Sequence, residues 1–166
     1  MEHVASTHPW IVAVERSAVG DAMRQSVMLY PVVEVVHILG LALLVGSIAA
    51  FDLRVLGFAR GVPLEPVSRV TVPLAVVGFA LAVPAGLLLF TTEATHIAVN
   101  PAFQVKLAFI AVALLNVVVF RLGPWGRMDA WGRAGVRPPV GARAGAAVSL
   151  LSWIGALVGG RMIAYF

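Results

Sequence analysis

The stretch Tyr30–Arg54, YPVVEVVHILGLALLVGSIAAFDLR, constrains this chain more than any other. Between Pro31 and Phe51 only Glu34, His37 and Ser47 interrupt an apolar run. About 20 such residues are what a helix needs to cross the roughly 30 Å hydrocarbon core of a bilayer. A carboxylate and an imidazole inside that run are costly to turn toward lipid, so they must face protein or a polar cavity. Their i, i+3 spacing puts both on one helix face, and Gly40, Leu44 and Ser47 continue the same stripe.

The rest of the chain agrees. Of 166 residues 60% are hydrophobic and only 12% charged, against about 45–50% and about 25% in soluble domains. The mean hydropathy is +0.95. We expect an all-α integral membrane four-helix bundle, one membrane-embedded domain over 1–166. The net charge of +4 would suggest nucleic acid in a soluble chain. Here the arginines sit in the connections between apolar runs, so the lipid bilayer is the expected partner and nucleic acid is not. Cysteine is absent, which excludes disulfides, thiolate metal sites, iron–sulfur clusters and C-x-x-C-H haem attachment. The opening MEHVASTHPW lacks the basic start and apolar core of a cleaved signal, so Met1 is expected to be kept.

Thr7-His8-Pro9 reads as a helix start. Residues 9–27 are too polar to span and are expected to form one interfacial amphipathic helix. Spans are expected near 31–54, 71–95, 101–122 and 143–166. Pro84, with Gly86 beside it, should kink or loosen the second. Asn100-Pro101 starts the third, after a short turn at 92–99. Gly155 and Gly159 form a small-xxx-small pair suited to close helix packing, Gly40 has the same role in the first span, and Asn116 should bridge helices. The Gly-, Pro- and Arg-rich connection GPWGRMDAWGRAGVRPPVGARAG is expected to be mobile, with Trp125 and Trp131 as interfacial anchors. Asp52 and Arg54 are expected to form an interfacial ion pair.

Eight of the twelve basic residues, Arg54, Arg60, Arg69, Arg121, Arg127, Arg133, Arg137 and Arg143, fall in the two connections that share one side. That bias puts those connections in the cytoplasm of a bacterial inner membrane and both termini outside.

With this topology the ionisable residues converge near the outer face: Glu34 and His37 on the first span, Glu93 and His96 after the second, Lys106 on the third, Arg161 on the fourth. His3 and His8 lie on the same side. Glu34-x-x-His37 and Glu93-x-x-His96 repeat the spacing that di-iron carboxylate bundles use, though further carboxylates are lacking unless Glu15 folds over the bundle. A single copper, zinc or iron ion held by His37, Glu34, His96 and Glu93 is a simpler metal reading. A b-type haem is the other, with His37 and His96 as axial ligands, Met28 or Met162 as replacements for His96, and Lys106 and Arg161 on the propionates. A layer of ion pairs between Glu34, Glu93, Lys106 and Arg161, with no cofactor at all, is an equal alternative.

Tyr30-Pro31-x-x-Glu34-x-x-His37-x-x-Gly40-Leu41-Ala42, Asn100-Pro101-Ala102-Phe103 with Lys106, and the ending Gly160-Arg161-Met162-Ile163-Ala164-Tyr165-Phe166 resemble an uncharacterised family of bacterial four-span inner-membrane proteins, a domain of unknown function. The resemblance covers nearly the whole chain; it implies a four-helix membrane bundle and supplies no activity. Three function classes are therefore expected: a metal- or haem-binding protein in electron transfer or metal handling, in which His37 is the main ligand and Glu34 ligates or orients it; a small ion- or proton-coupled transporter; and a non-catalytic structural subunit. A homo-oligomer or a redox partner protein is compatible with the first.

Overall fold

The computed structural model describes residues 8–166, so Thr7 and His3 lie outside the described residues. It contains eight α-helices and two short 3₁₀ turns, with no strand among the described residues. Four helices are long and apolar enough to cross a membrane. They are α3 (Leu29–Leu56), α4 (Leu64–Phe90), α6 (Pro101–Leu122) and α8 (Val140–Met162). The protein is an all-α, four-helix membrane protein.

The ends of these helices follow local chemistry. Gly57 closes α3 at φ +112, a left-handed conformation that glycine adopts without a Cβ penalty. Its amide and that of Phe58 turn back to the carbonyls of Arg54 and Leu53. Asn100 caps α6 by accepting from the Ala102 amide at 2.9 Å, with Pro101 in the first turn. The first and third spans lie within two residues of the sequence expectation. The second begins seven residues earlier than expected, because Glu65 and Arg69 pair along its first exposed turn at 2.6 Å and do not interrupt the helix. It stays helical through Pro73 and Pro84. The fourth span ends at Met162 and passes into a 3₁₀ turn, Ile163–Tyr165.

The four spans form two tight pairs. In α3 and α4, glycines face each other: a Cβ on Gly40 would stand 2.6 Å from the Ala82 nitrogen and 2.9 Å from the Gly78 carbonyl oxygen. In α6 and α8, Gly155 receives the Phe109 ring and Gly159 receives the Lys106 stem. Asn116 donates to the Gly145 carbonyl at 3.0 Å and bridges that pair, as expected. Gly40, Gly155, Gly159 and Asn116 all stand at these helix contacts. A seam between α3 and α8 joins the pairs, whereas α4 and α6 do not pack along their length. The stacked rings of Phe90 and Phe103 connect those two helices at the C-terminal end of α4 and the first turn of α6.

Four expectations change. Residues 9–27 form two short helices, α1 (Pro9–Glu15) and α2 (Ala18–Gln25), because Ser17 breaks the run and caps α2 at the Gly20 amide. The turn at 92–99 contains a further helix, α5 (Ala94–Val99). The connection at 123–139 is pinned: it carries a 3₁₀ turn, Pro124–Arg127, and α7 (Met128–Trp131). The Gly132 carbonyl accepts from Leu64 at 2.8 Å, and the Gly135 amide donates to Arg60 at 2.8 Å. Trp131, expected as an interfacial anchor, is 7% exposed and packs with Val55, Leu64 and Ala146.

Candidate functional site

Where the two helix pairs diverge toward the termini, they enclose a cavity of about 1000 Å³. Glu34, His37, Glu93, His96, Lys106 and Arg161 all line it. The convergence read from the sequence is therefore present. The manner of convergence is different.

The expected ion-pair layer is absent. Among the described residues the only salt bridges are Asp21–Arg24 and Glu65–Arg69, so neither Glu34 nor Glu93 pairs with Lys106 or Arg161. The Arg161 guanidinium instead lies over the Tyr165 ring and donates to its hydroxyl at 3.2 Å. The groups face one another across the cavity. Nor do three or more His, Asp or Glu side chains come together in a constellation suited to a metal ion among the described residues. The four-ligand set Glu34, His37, Glu93 and His96 is not assembled: Glu34, Glu93 and His96 are exposed toward the cavity, and only His37 is anchored.

His37 is held by α4. Its Nδ1 lies 2.7 Å from the Ala82 carbonyl oxygen, and Gly86 supplies the space for the ring, since a Cβ there would meet Cε1 at 2.9 Å. Nδ1 must carry the proton to donate to a carbonyl, which leaves Nε2 as the lone-pair nitrogen. Nε2 has no hydrogen-bond partner among the described residues. The carbonyl of Ala82, and not the carboxylate of Glu34, orients this imidazole. A backbone carbonyl on one ring nitrogen is the usual support for a histidine whose other nitrogen ligates.

The rest of the wall is mainly apolar. Leu41, Val45, Leu89, Phe90, Phe103 and Ile110 line it between the polar residues, with Trp153 at its floor. Lys106 is half-buried, its stem running past Gly159 and Gly160. The basic side chains Arg24, Lys106 and Arg161 thus mark the mouth and one wall. Met28 and Met162 do not line the cavity, which removes them as replacements for His96; the methionine that does is Met23, buried beneath α2.

Glu15 does fold over the bundle, but its carboxylate is already used. Oε2 accepts from the Thr95 amide and from the Thr95 hydroxyl, both at 2.7 Å, and so caps α5 from outside. Those donors, the backbone amide foremost, hold its carboxyl below the ordinary glutamate range; partial desolvation opposes them, and Arg24 and Arg16 assist. It is unsuited to a second role as a metal ligand.

A second pocket, of about 280 Å³, lies deeper toward the arginine-rich connections. Asp52 borders it and is only 4% exposed. The expected Asp52–Arg54 pair does not form, because residues at i and i+2 leave a helix on opposite sides. Arg54 points away and donates through Nε to the Val62 carbonyl at 2.6 Å. Ser47, Asn116, Ser149 and Trp153 share the pocket with Asp52. Asp52, expected in an interfacial ion pair, is instead a buried acid in this half of the bundle. The signal was present: Asp52 stands four residues after Ile48 and eight after Leu44, on the seam that packs.

Compared with protein-family models, with curated proteins and with solved structures, the chain matches none.

Proposed function

We propose that the chain is a haem-binding electron-transfer protein of the bacterial inner membrane, with its cavity on the outer side and the arginine-rich connections in the cytoplasm. The observation that carries this reading is His37: Nδ1 is fixed by Ala82 and Nε2 is free at the wall of a cavity of about 1000 Å³. That volume is at the upper end for small-molecule sites and suits a large planar group better than a bare ion. A macrocycle brings its own equatorial nitrogens, so it needs one or two protein ligands and not the three or four that an isolated ion requires. When bound, such a group supplies one-electron chemistry. The chain's part is to hold Nε2 as a neutral ligand, to present Lys106 and Arg161 to carboxylate substituents, and to exclude water with Phe90, Phe103 and Trp153. His96 shares the cavity and would be the second residue to hold the group.

The absorption spectrum of the purified full-length protein tests this. A Soret band is expected in the wild type, lost in His37→Ala and shifted in His96→Ala. A colourless wild type that takes up no haem on reconstitution would end the reading, and stoichiometric copper, zinc or iron in that colourless protein would favour a metal ion.

A second reading, a small proton-coupled carrier, is favoured by Trp153, which borders both the large cavity and the Asp52 pocket. It requires substrate-dependent uptake into proteoliposomes that is abolished by Asp52→Asn.

A further inference from the structure

Two side chains that border the Asp52 pocket each bury one polar atom without a hydrogen-bond partner among the described residues. Asp52 Oδ2 and Trp153 Nε1 are buried without hydrogen-bond partners among the described residues, and each residue is 4% exposed. Burying such atoms unsatisfied is destabilising, and native folds rarely do it without a reason. Both side chains border the same 280 Å³ pocket. One is an acceptor and the other can only donate.

Ser47, Thr71, Asn116, Ser149 and Arg121 also border the pocket, but most of its surface is apolar, with the aromatic rings of Phe51, Phe79, Phe120 and Trp125 among its walls. Phe51, Phe120 and Trp125 already pack edge-on or tilted against one another, with centroids 6.0–6.4 Å apart. The pocket is also bordered by Val76 of α4 and Val117 of α6, which are exposed on the lipid-facing side. Because α4 and α6 do not pack along their length, the pocket can be entered from the bilayer.

A ligand that satisfies this site must accept from an indole N–H and donate to a carboxyl group, and must otherwise be apolar. One hydroxyl group does both. It can pair with the carboxyl group in either protonation state, as donor to the carboxylate or as partner of the acid. A lipophilic cation fits less well. It offers no acceptor to Trp153, and the Arg121 guanidinium borders the same pocket. An aromatic ring on the hydroxyl matches the aromatic walls. We propose that this pocket binds a membrane-soluble phenol or hydroquinone, its hydroxyl held between Asp52 and Trp153 and its apolar tail leaving between α4 and α6. The site is separate from His37, and the proposal does not depend on what the larger cavity holds.

The test is anaerobic titration calorimetry of the full chain in lipid nanodiscs with a decyl-substituted hydroquinone, against empty nanodiscs. Saturable one-to-one binding is expected. Trp153→Phe, which keeps the ring but removes the N–H, and Asp52→Leu should each weaken it about tenfold, the effect of stranding one buried polar group. Val117→Trp should abolish it by closing the lipid side, and as a change at an exposed position it keeps the test decisive should a buried variant fail to fold. His37→Ala should leave it unchanged. Binding no different from empty nanodiscs, binding indifferent to all three pocket variants, or saturable binding of tetraphenylphosphonium with none of the hydroquinone would overturn the proposal.

Discussion

Gly40→Ala and Gly46→Ala are the same chemical change six residues apart on α3, and they should behave oppositely. At Gly46 a new methyl meets nothing within 4 Å, so the variant gains the helix preference of alanine, about 0.5–1 kcal/mol. At Gly40 the methyl would sit 2.6 Å from the Ala82 nitrogen, against 3.4 Å for an ordinary contact. The obstacle is helix backbone, so it cannot rotate aside. α3 and α4 must separate by about 0.8 Å, the difference between those distances. Carried over to the 2.7 Å contact between His37 and the Ala82 carbonyl, that displacement leaves about 3.5 Å, past the useful range of a hydrogen bond. Overpacking costs about 1–3 kcal/mol and the lost hydrogen bond about 1 kcal/mol, offset by the alanine preference. The net loss is about 1–3 kcal/mol, which places the two variants about 2–4 kcal/mol apart. Unfolding in mixed SDS–detergent micelles, followed by circular dichroism, measures the gap, and the imidazole ¹⁵N resonances report whether His37 has lost its carbonyl. If the two variants unfold together, or if Gly40→Ala leaves the imidazole signals in place, the account of how α4 positions His37 is wrong.

Other outcomes follow from single contacts. Glu15, held below its ordinary range by Thr95, stabilises the docking of α1 on α5 at any pH above the unfolded glutamate value near 4.3. That contribution is lost as the pH falls through the lower folded value; hydrogen exchange at the Thr95 amide should accelerate across that acid window, and in Glu15→Gln it should already be faster at neutral pH. Lys106→Met should be neutral or stabilising in thermal unfolding, because the half-buried ammonium has no anionic partner among the described residues to lose; marked destabilisation would reveal an ion pair. Trp131→Ala should cost about 3–5 kcal/mol, the range for emptying a buried aromatic site. Limited proteolysis should then cut between Gly123 and Pro139, where the wild type resists.

Much of the fold was legible because a bilayer leaves few options. Four apolar runs, the Asn100-Pro101 start and the small-xxx-small pair in the fourth span each carry their meaning locally. The start of α4 was hidden because Glu65 and Arg69 read as a break in an apolar run, whereas they are an i, i+4 pair on an exposed turn. α5 is six residues long, too short for periodicity to show. The burial of Trp131 depends on a backbone bond to Leu64, far away in sequence. At the site, residue spacing revealed which side chains share a depth but not how far apart the helices stand. Two acids and two bases at one level suggested ion pairs; the cavity between the helix pairs separates them. Asp52 was misread beside Arg54 because adjacency in sequence was taken for adjacency in space.

The seam between α3 and α8 joins the first span to the last, and this has a consequence for biogenesis. As the chain leaves the ribosome, α3 and α4 can close on each other through Gly40 and Gly78 as soon as both are inserted. Asp52 cannot be covered then, because Ser149 and Trp153, which share its pocket, belong to α8. Its carboxyl group must wait at the translocon, or among lipid headgroups near the membrane surface, until the final span arrives. A chain truncated before residue 140 would contain three respectable apolar segments and an unshielded acid. Covering that acid therefore falls to α8, which brings Ser149 and Trp153 to its pocket.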